Sequence, residues 1–297
     1  MKKGIDLLRE RERKLLERAR RVVYRSFDDG LELALHFYLP PDLREGEPRS
    51  CLLFLHGGAW MRGNVVQLAP HALHFVERGM VCGLVEYRQR GMCAGASPVH
   101  AREDARSALR YVRLQAGELH VDPERVALVG ACAGANAAAA LALGAPPEVK
   151  GKGEPDSDPG LTAKPAAAIL LSSIFDVTKG SYGYDACRAP AEAKAVCLSR
   201  LVDSGASPML LLHGNSDRLV PFEEAESFAG RLERKKVPVK LVEFEGRDRD
   251  FFHLNYDPVS FEAVLLEMES FLVERSFLTS GSRGDDPRVI SRREEDF

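Results

Sequence analysis

The stretch Val126-Ala127-Leu128-Val129-Gly130-Ala131-Cys132-Ala133-Gly134-Ala135-Asn136 decides the fold. An apolar, valine-containing run passes within three small residues into an alanine-rich segment, so a buried strand leads straight into a helix. Glycines two places before and two places after Cys132 suit a turn so sharp that strand and helix approach without room for a Cβ. This is the shape of a nucleophile elbow, GxSxG with sulfur in place of oxygen. At the first turn of the helix Cys132 feels the positive end of the helix dipole, which favours the thiolate a nucleophile needs. The alternative at this point is a small buried cysteine at an ordinary strand-to-helix turn.

Working outward, further apolar runs at residues 51–55, 81–85, 166–171, 209–212 and 239–244 are separated mostly by helical stretches. Continuous apolar strands alternating with helices imply a mainly parallel sheet covered on both faces. Residues 22–27 and 31–39 flank Asp28-Asp29-Gly30, where Asp-Gly supplies the positive φ of a tight turn, and predict an opening antiparallel hairpin. The expected fold class is therefore α/β with eight strands. Residues 1–21 carry an apolar helical stripe and form an N-terminal helix, with a membrane-surface helix as the sharper alternative. The main domain is expected over 22–276. Within it, residues 144–163 are rich in Gly, Pro and charge and predict a long loop. Residues 176–206, with a helical pattern at 189–202, are either a short lid or a plain surface excursion. From 277 to 297 the polar composition predicts a disordered tail.

A chain of 297 residues suits one large domain, and a formal net charge of −3 offers no field for nucleic acid. The charged start and the absence of any eighteen-residue apolar run point to a cytoplasmic protein without a membrane segment. Six cysteines without CxxC or zinc spacing predict reduced thiols and no metal site.

Upstream, Cys51-Leu52-Leu53-Phe54-Leu55-His56-Gly57-Gly58-Ala59-Trp60 is a strand ending in an HGG loop, the kind whose amides approach a substrate carbonyl oxygen. HGGAW, Tyr87-Arg88, Pro98, Asp104-Ala105, residues 122–126, GACAGAN and His213-Gly214-Asn215-Ser216-Asp217 follow one another in an order that resembles the hormone-sensitive-lipase-like esterases and feruloyl or acetyl esterase relatives, over about residues 30–276. The resemblance implies the α/β-hydrolase fold and carboxylester hydrolysis, with oxyanion donors at Gly57, Gly58 and Ala133. It also implies a nucleophile, acid and histidine in that chain order. The family's usual elbow is GDSAGG, from which Ala131, Cys132 and Ala135 depart. Dienelactone hydrolases share the fold and use a cysteine, histidine and aspartate set. In this family last-strand and last-helix contacts often pair subunits, so a homodimer is the assembly implied.

Asp217 lies in a loop just after a buried strand, where a carboxylate can hold an imidazole, or else cap the helix that begins near Pro221. His253 follows Arg247-Asp248-Arg249-Asp250 and precedes the final helix, the place expected for the base. Trp60 and Ala59, beside the oxyanion loop, are candidate substrate contacts, with a packed core aromatic as the alternative for Trp60. The charged run 247–250 is either a set of salt links holding the histidine loop or a solvated turn. The expectation is a Cys132–His253–Asp217 enzyme passing through an acyl-cysteine, requiring no cofactor, on small activated esters, enol lactones or thioesters. Transfer of the acyl group to another acceptor would use the same intermediate. The rival is a relative without turnover that binds a small ligand or partner.

Overall fold

The computed structural model describes residues 2–147 and 161–279. Most of the loop expected at 144–163, and the tail from 280 onward, lie outside the described residues. Helix α1 (Lys2–Glu17) is followed at once by β1 (Arg20–Ser26), so the strand starts inside the span read as helix. The cause is pairing: Arg20 already stands opposite Phe37 of β2 (Glu32–Tyr38). Gly30 at φ +83° and the Phe27 N–H to Leu31 carbonyl bond of 2.9 Å close the Asp28-Asp29-Gly30 turn.

The sheet has eight strands in the order β1-β2-β4-β3-β5-β6-β7-β8. Its other members are β3 (Arg49–Leu55), β4 (Val81–Val85), β5 (Val121–Ala131), β6 (Ala167–Leu171), β7 (Met209–Gly214) and β8 (Val239–Phe244). β2 runs antiparallel to both β1 and β4, and every later pairing is parallel.

Helices α2 (Ala69–Glu77) and α7 (Pro258–Glu274) cover one face, and α3 (Pro98–Leu114), α4 (Ala133–Ala142) and α6 (Phe222–Arg234) cover the other. Because side chains alternate along a strand, β3 sends Leu52 and Phe54 toward Phe75 and Met268, and Cys51, Leu53 and Leu55 toward Leu109 and Leu141. Each such buried side chain contributes roughly 1.5–3 kcal/mol relative to exposure, which explains why the central strands are apolar throughout.

α3 also carries a charge at its buried face. Asp104, fully buried, accepts from the Arg88 amide and guanidinium at 2.8–3.1 Å and from Arg25 Nη1 at 2.8 Å. The opening hairpin is thereby tied to the helix layer.

Between β6 and β7 the helical pattern expected over 189–202 is broken into α5 (Pro190–Ala195) and a 3₁₀ turn, Leu198–Arg200. The break has a reason: Asn136 Nδ2 takes the carbonyls of Val196 and Ile174 at 3.0 and 2.9 Å, and the Leu198 amide bonds back to Phe175. Those tertiary bonds replace the next helical turn.

Candidate active site

Register places the site. Leu55 stands beside Gly130, Ala131 beside Leu171, and Gly214 beside Phe244. The loops leaving β3, β5, β6, β7 and β8 therefore open side by side at the carboxyl edge of the sheet, where open α/β sheets hold ligands.

Cys132 sits at φ 51°, ψ −109°, a conformation that costs about 1–3 kcal/mol and persists only where its surroundings enforce it. They do so here. A Cβ on Gly130 would come within 2.4 Å of the Gly134 backbone, and one on Gly134 within 2.1 Å of the Leu55 carbonyl oxygen. The Cys132 amide donates to the Leu171 carbonyl at 2.9 Å, and the residue is 7% exposed. Positive φ recurs at Ala59, Trp60 and Ser172, so strained backbone gathers around this one sulfur.

The HGG loop comes alongside. A Cβ on Gly57 would touch the Cys132 Cβ at 3.2 Å. Of the three amides expected to receive an oxyanion, that of Gly57 is already occupied, donating to Gln67 Oε1 at 2.5 Å. Among the described residues the amides of Gly58 and Ala133 donate to no acceptor. His56 is structural: its ring stacks on Tyr87 with centroids 4.3 Å apart, its Nδ1 meets the Gly57 carbonyl, and burial lowers its pKa to about 4.

The carboxylate of Asp217 is buried and fully engaged. Oδ1 accepts from the amides of Leu219 and Val220 at 2.9 and 3.1 Å, an Asx turn leading into α6, and Oδ2 accepts from Arg249 Nη1 at 2.7 Å. His213 Nε2 lies 3.4 Å from Oδ2 but bonds better to the Val220 carbonyl at 2.9 Å. Arg249 is held from every side. Its Nη2 donates to the Ser172 carbonyl at 2.7 Å, and its own carbonyl accepts from Ser172 Oγ at 2.7 Å. The guanidinium lies 5.0 Å from the centroid of the Tyr182 ring. Burial works against the charge of Arg249, yet the sulfur and Asp217 outweigh it and hold the guanidinium above its ordinary value.

His253 was expected between Cys132 and Asp217, but the side chain that meets the Asp217 carboxylate is Arg249. The chain turns over Asp250–His253, with the His253 amide on the Asp250 carbonyl at 3.0 Å, and this carries the imidazole elsewhere. Its Nε2 lies 3.4 Å from Gln67 Nε2 and 3.7 Å from Asp250 Oδ1, and burial lowers its pKa against the pull of Asp250. Among the described residues no contact joins His253 to the sulfur or to Asp217.

Tyr182 completes the surroundings. Its ring lies against Arg249 and, half-buried, packs on the core cluster that contains Cys132 and Trp60. Its neighbour Gly183, at φ +88°, has no Cβ because one would lie 2.7 Å from Trp60 Cζ3. Trp60 is only 2% exposed, so it stands as a packed wall between the HGG loop and the 176–206 segment. Ala59 is partly exposed at the loop's edge.

Sequence reasoning passed over Gln67, Tyr182 and Arg249. For Arg249 a signal existed: it lies two places before Phe251-Phe252, an aromatic pair that anchors the loop in the core.

The family model described as BD-FAE matches residues 35–167. Esterase LipQ of Mycobacterium tuberculosis is 29% identical over 223 residues, 68% of this chain and 50% of that protein. A probable isoprenylcysteine alpha-carbonyl methylesterase of Oryza sativa subsp. japonica is 26% identical over 76% of this chain and 58% of its own length. The chain thus spans about half the length of the curated relatives it matches. Among solved structures, Thermogutta terrifontis esterase 2, phosphoramylated by tabun, superposes with a TM-score of 0.81 at 30% identity, covering 89% of this chain and 97% of that one. Its native form gives 0.82 at 29% identity, covering 90% and 96%.

Proposed function

The chain belongs to the α/β-hydrolase esterases, and we propose that it cleaves carboxylic esters or thioesters by acyl transfer to Cys132. The observation that carries the reading is Cys132 held at φ 51° in a strand-to-helix turn, alongside the HGG loop and the unoccupied amides of Gly58 and Ala133. Arg249, bonded to the buried carboxylate of Asp217, takes the partner that a catalytic histidine would otherwise have. Arg249 itself cannot take or give a proton. Attack on an acyl carbonyl puts negative charge on its oxygen within reach of the unoccupied amides of Gly58 and Ala133. Activated esters, enol lactones and thioesters fit best, because a thiolate is expelled more easily than an alkoxide. The named esterases and methylesterase among the relatives support the reaction class.

The test is intact-protein mass spectrometry after exposure to 4-nitrophenyl acetate. We expect one acetyl group, located on Cys132 by peptide mapping and absent in Cys132→Ala. A protein that takes up no acetyl group, with turnover unchanged in Cys132→Ala, would overturn the reading. That outcome would favour a ligand-binding relative without turnover, for which the burial of Cys132 speaks.

A further inference from the structure

The HGG loop lays two peptide planes beside Cys132, and each polar end of those planes either has a partner or lacks one. In the plane joining His56 to Gly57, the His56 carbonyl accepts from the Tyr87 hydroxyl at 2.6 Å, and the Gly57 N–H donates to Gln67 Oε1 at 2.5 Å. In the plane joining Gly57 to Gly58, the Gly57 carbonyl accepts from His56 Nδ1 at 2.7 Å. The Gly58 N–H donates to no acceptor among the described residues. A trans peptide points its N–H away from its carbonyl, so holding the other ends aims this one.

Gln67 is itself braced. It stands on a 3₁₀ turn, Val65–Leu68, whose Val66 and Leu68 are buried in the core. Asn64 caps that turn, its Oδ1 accepting from the Val66 amide at 3.1 Å, and its Nδ2 donates to Glu12 of α1 at 2.5 Å. The bond from Gly57 also decides how the Gln67 carboxamide lies: Oε1 faces the loop, so the NH2 end is the one 3.4 Å from His253 Nε2. A Cβ on Gly57 would lie 3.3 Å from Gln67 Oε1 and 3.2 Å from the Cys132 Cβ. The carboxamide and the nucleophile's residue thus flank the same glycine.

We propose that Gln67 is a positioning residue for ester cleavage: by holding the Gly57 N–H, with Tyr87 at the other end of that plane, it aims the Gly58 N–H at the acyl oxygen. The inference rests on Cys132 being the nucleophile. When the thiolate bonds to the acyl carbon, the carbonyl π pair moves onto oxygen. The Gly58 N–H meets that new charge only where the loop is held in place. The Gly57 N–H, spent on Gln67, is a fixing point of the loop and not a donor to the oxyanion.

The experiment compares two reactions of one sulfur in wild type and in Gln67→Met, which keeps the side chain's length and removes its acceptor. Acetylation by 4-nitrophenyl acetate passes through an oxyanion. Methyl methanethiosulfonate, a smaller reagent, is attacked at sulfur, forms a disulfide with loss of methanesulfinate, and places no charge on a carbonyl oxygen. Acetyl uptake on Cys132 is expected to fall about 100-fold in the variant, the cost of misplacing a preorganised donor, while methylthio uptake is unchanged. If both reactions slow alike, Gln67 governs only access to the sulfur, and if neither slows it has no hold on the donor. Either result overturns the inference. Cys51 and Cys82 are fully buried, so they stay unlabelled while the protein is folded. Should Gln67→Met expose them, Tyr87→Phe is judged by the same two rates, since it keeps the ring on His56 and removes only the hydroxyl. A wild type that accepts the methylthio group on Cys132 but no acetyl group sinks the nucleophile assignment itself, a distinct result.

Discussion

Replacing Arg249 by methionine keeps a long apolar stem and removes the guanidinium that pairs with Asp217. The Asp217 carboxylate, wholly buried, would keep its two amide donors but lose its charged partner at 2.7 Å. Removing one member of a buried ion pair costs about 3–5 kcal/mol, because an uncompensated charge is left inside. At about 2–4 °C per kcal/mol for a domain of this size, the melting temperature should drop by roughly 6–20 °C. The double variant Arg249→Met, Asp217→Asn removes the stranded charge as well and should recover about 2 kcal/mol or more of that loss, the size of coupling found between touching groups. Urea unfolding of wild type, both single variants and the double variant measures the cycle. A cost below about 1 kcal/mol for the arginine variant, or strict additivity in the cycle, would refute the claim that these two charges depend on each other.

Two more outcomes follow from the same geometry. His71 is buried among Phe252 and Phe261 with both ring nitrogens unpartnered, and burial lowers its pKa to about 3, while that of His56 falls to about 4. Folded-state values below the ordinary 6.5 mean that the unfolded chain binds these protons first. Stability is then complete above about pH 6.5 and should fall by about 1.4 kcal/mol per pH unit for each histidine down to their folded values. Urea midpoints at pH 7 and pH 5 check this, and a His71→Phe variant whose pH slope equals that of wild type would contradict it. Serine at position 132 keeps the elbow's shape but requires a base that Arg249 cannot be. Acetyl uptake by Cys132→Ser from 4-nitrophenyl acetate should fall about 100-fold or more, as followed by mass spectrometry, and a serine variant faster than wild type would argue against sulfur as the nucleophile this elbow serves.

The strands were legible because their signal is local. Residues 81–85 and 239–244 coincide with β4 and β8, and Asp28-Asp29-Gly30 marked the hairpin by its own turn chemistry. The elbow and the HGG loop were legible for a related reason. Small residues at fixed spacing record where backbones must touch, as Gly134 does against the Leu55 carbonyl. The clustered positive φ angles lie in those segments.

Which side chains meet at the sulfur is a different kind of fact. Arg249 and His253 are four residues apart in one loop, and either could face Asp217 as far as spacing can tell. The turn at Asp250–His253, anchored by Phe251 and Phe252 in the core, aims the guanidinium inward and the imidazole toward Gln67. Likewise Tyr182 sits in a segment without periodic pattern, and with Gly183 packed on Trp60 its ring comes against Arg249. Composition, periodicity and turn residues therefore determined the layered fold and the edge of the sheet where chemistry is possible. The partners of Cys132 were decided by contacts between loops distant in sequence, which depend on register and core packing and leave no mark at any one position.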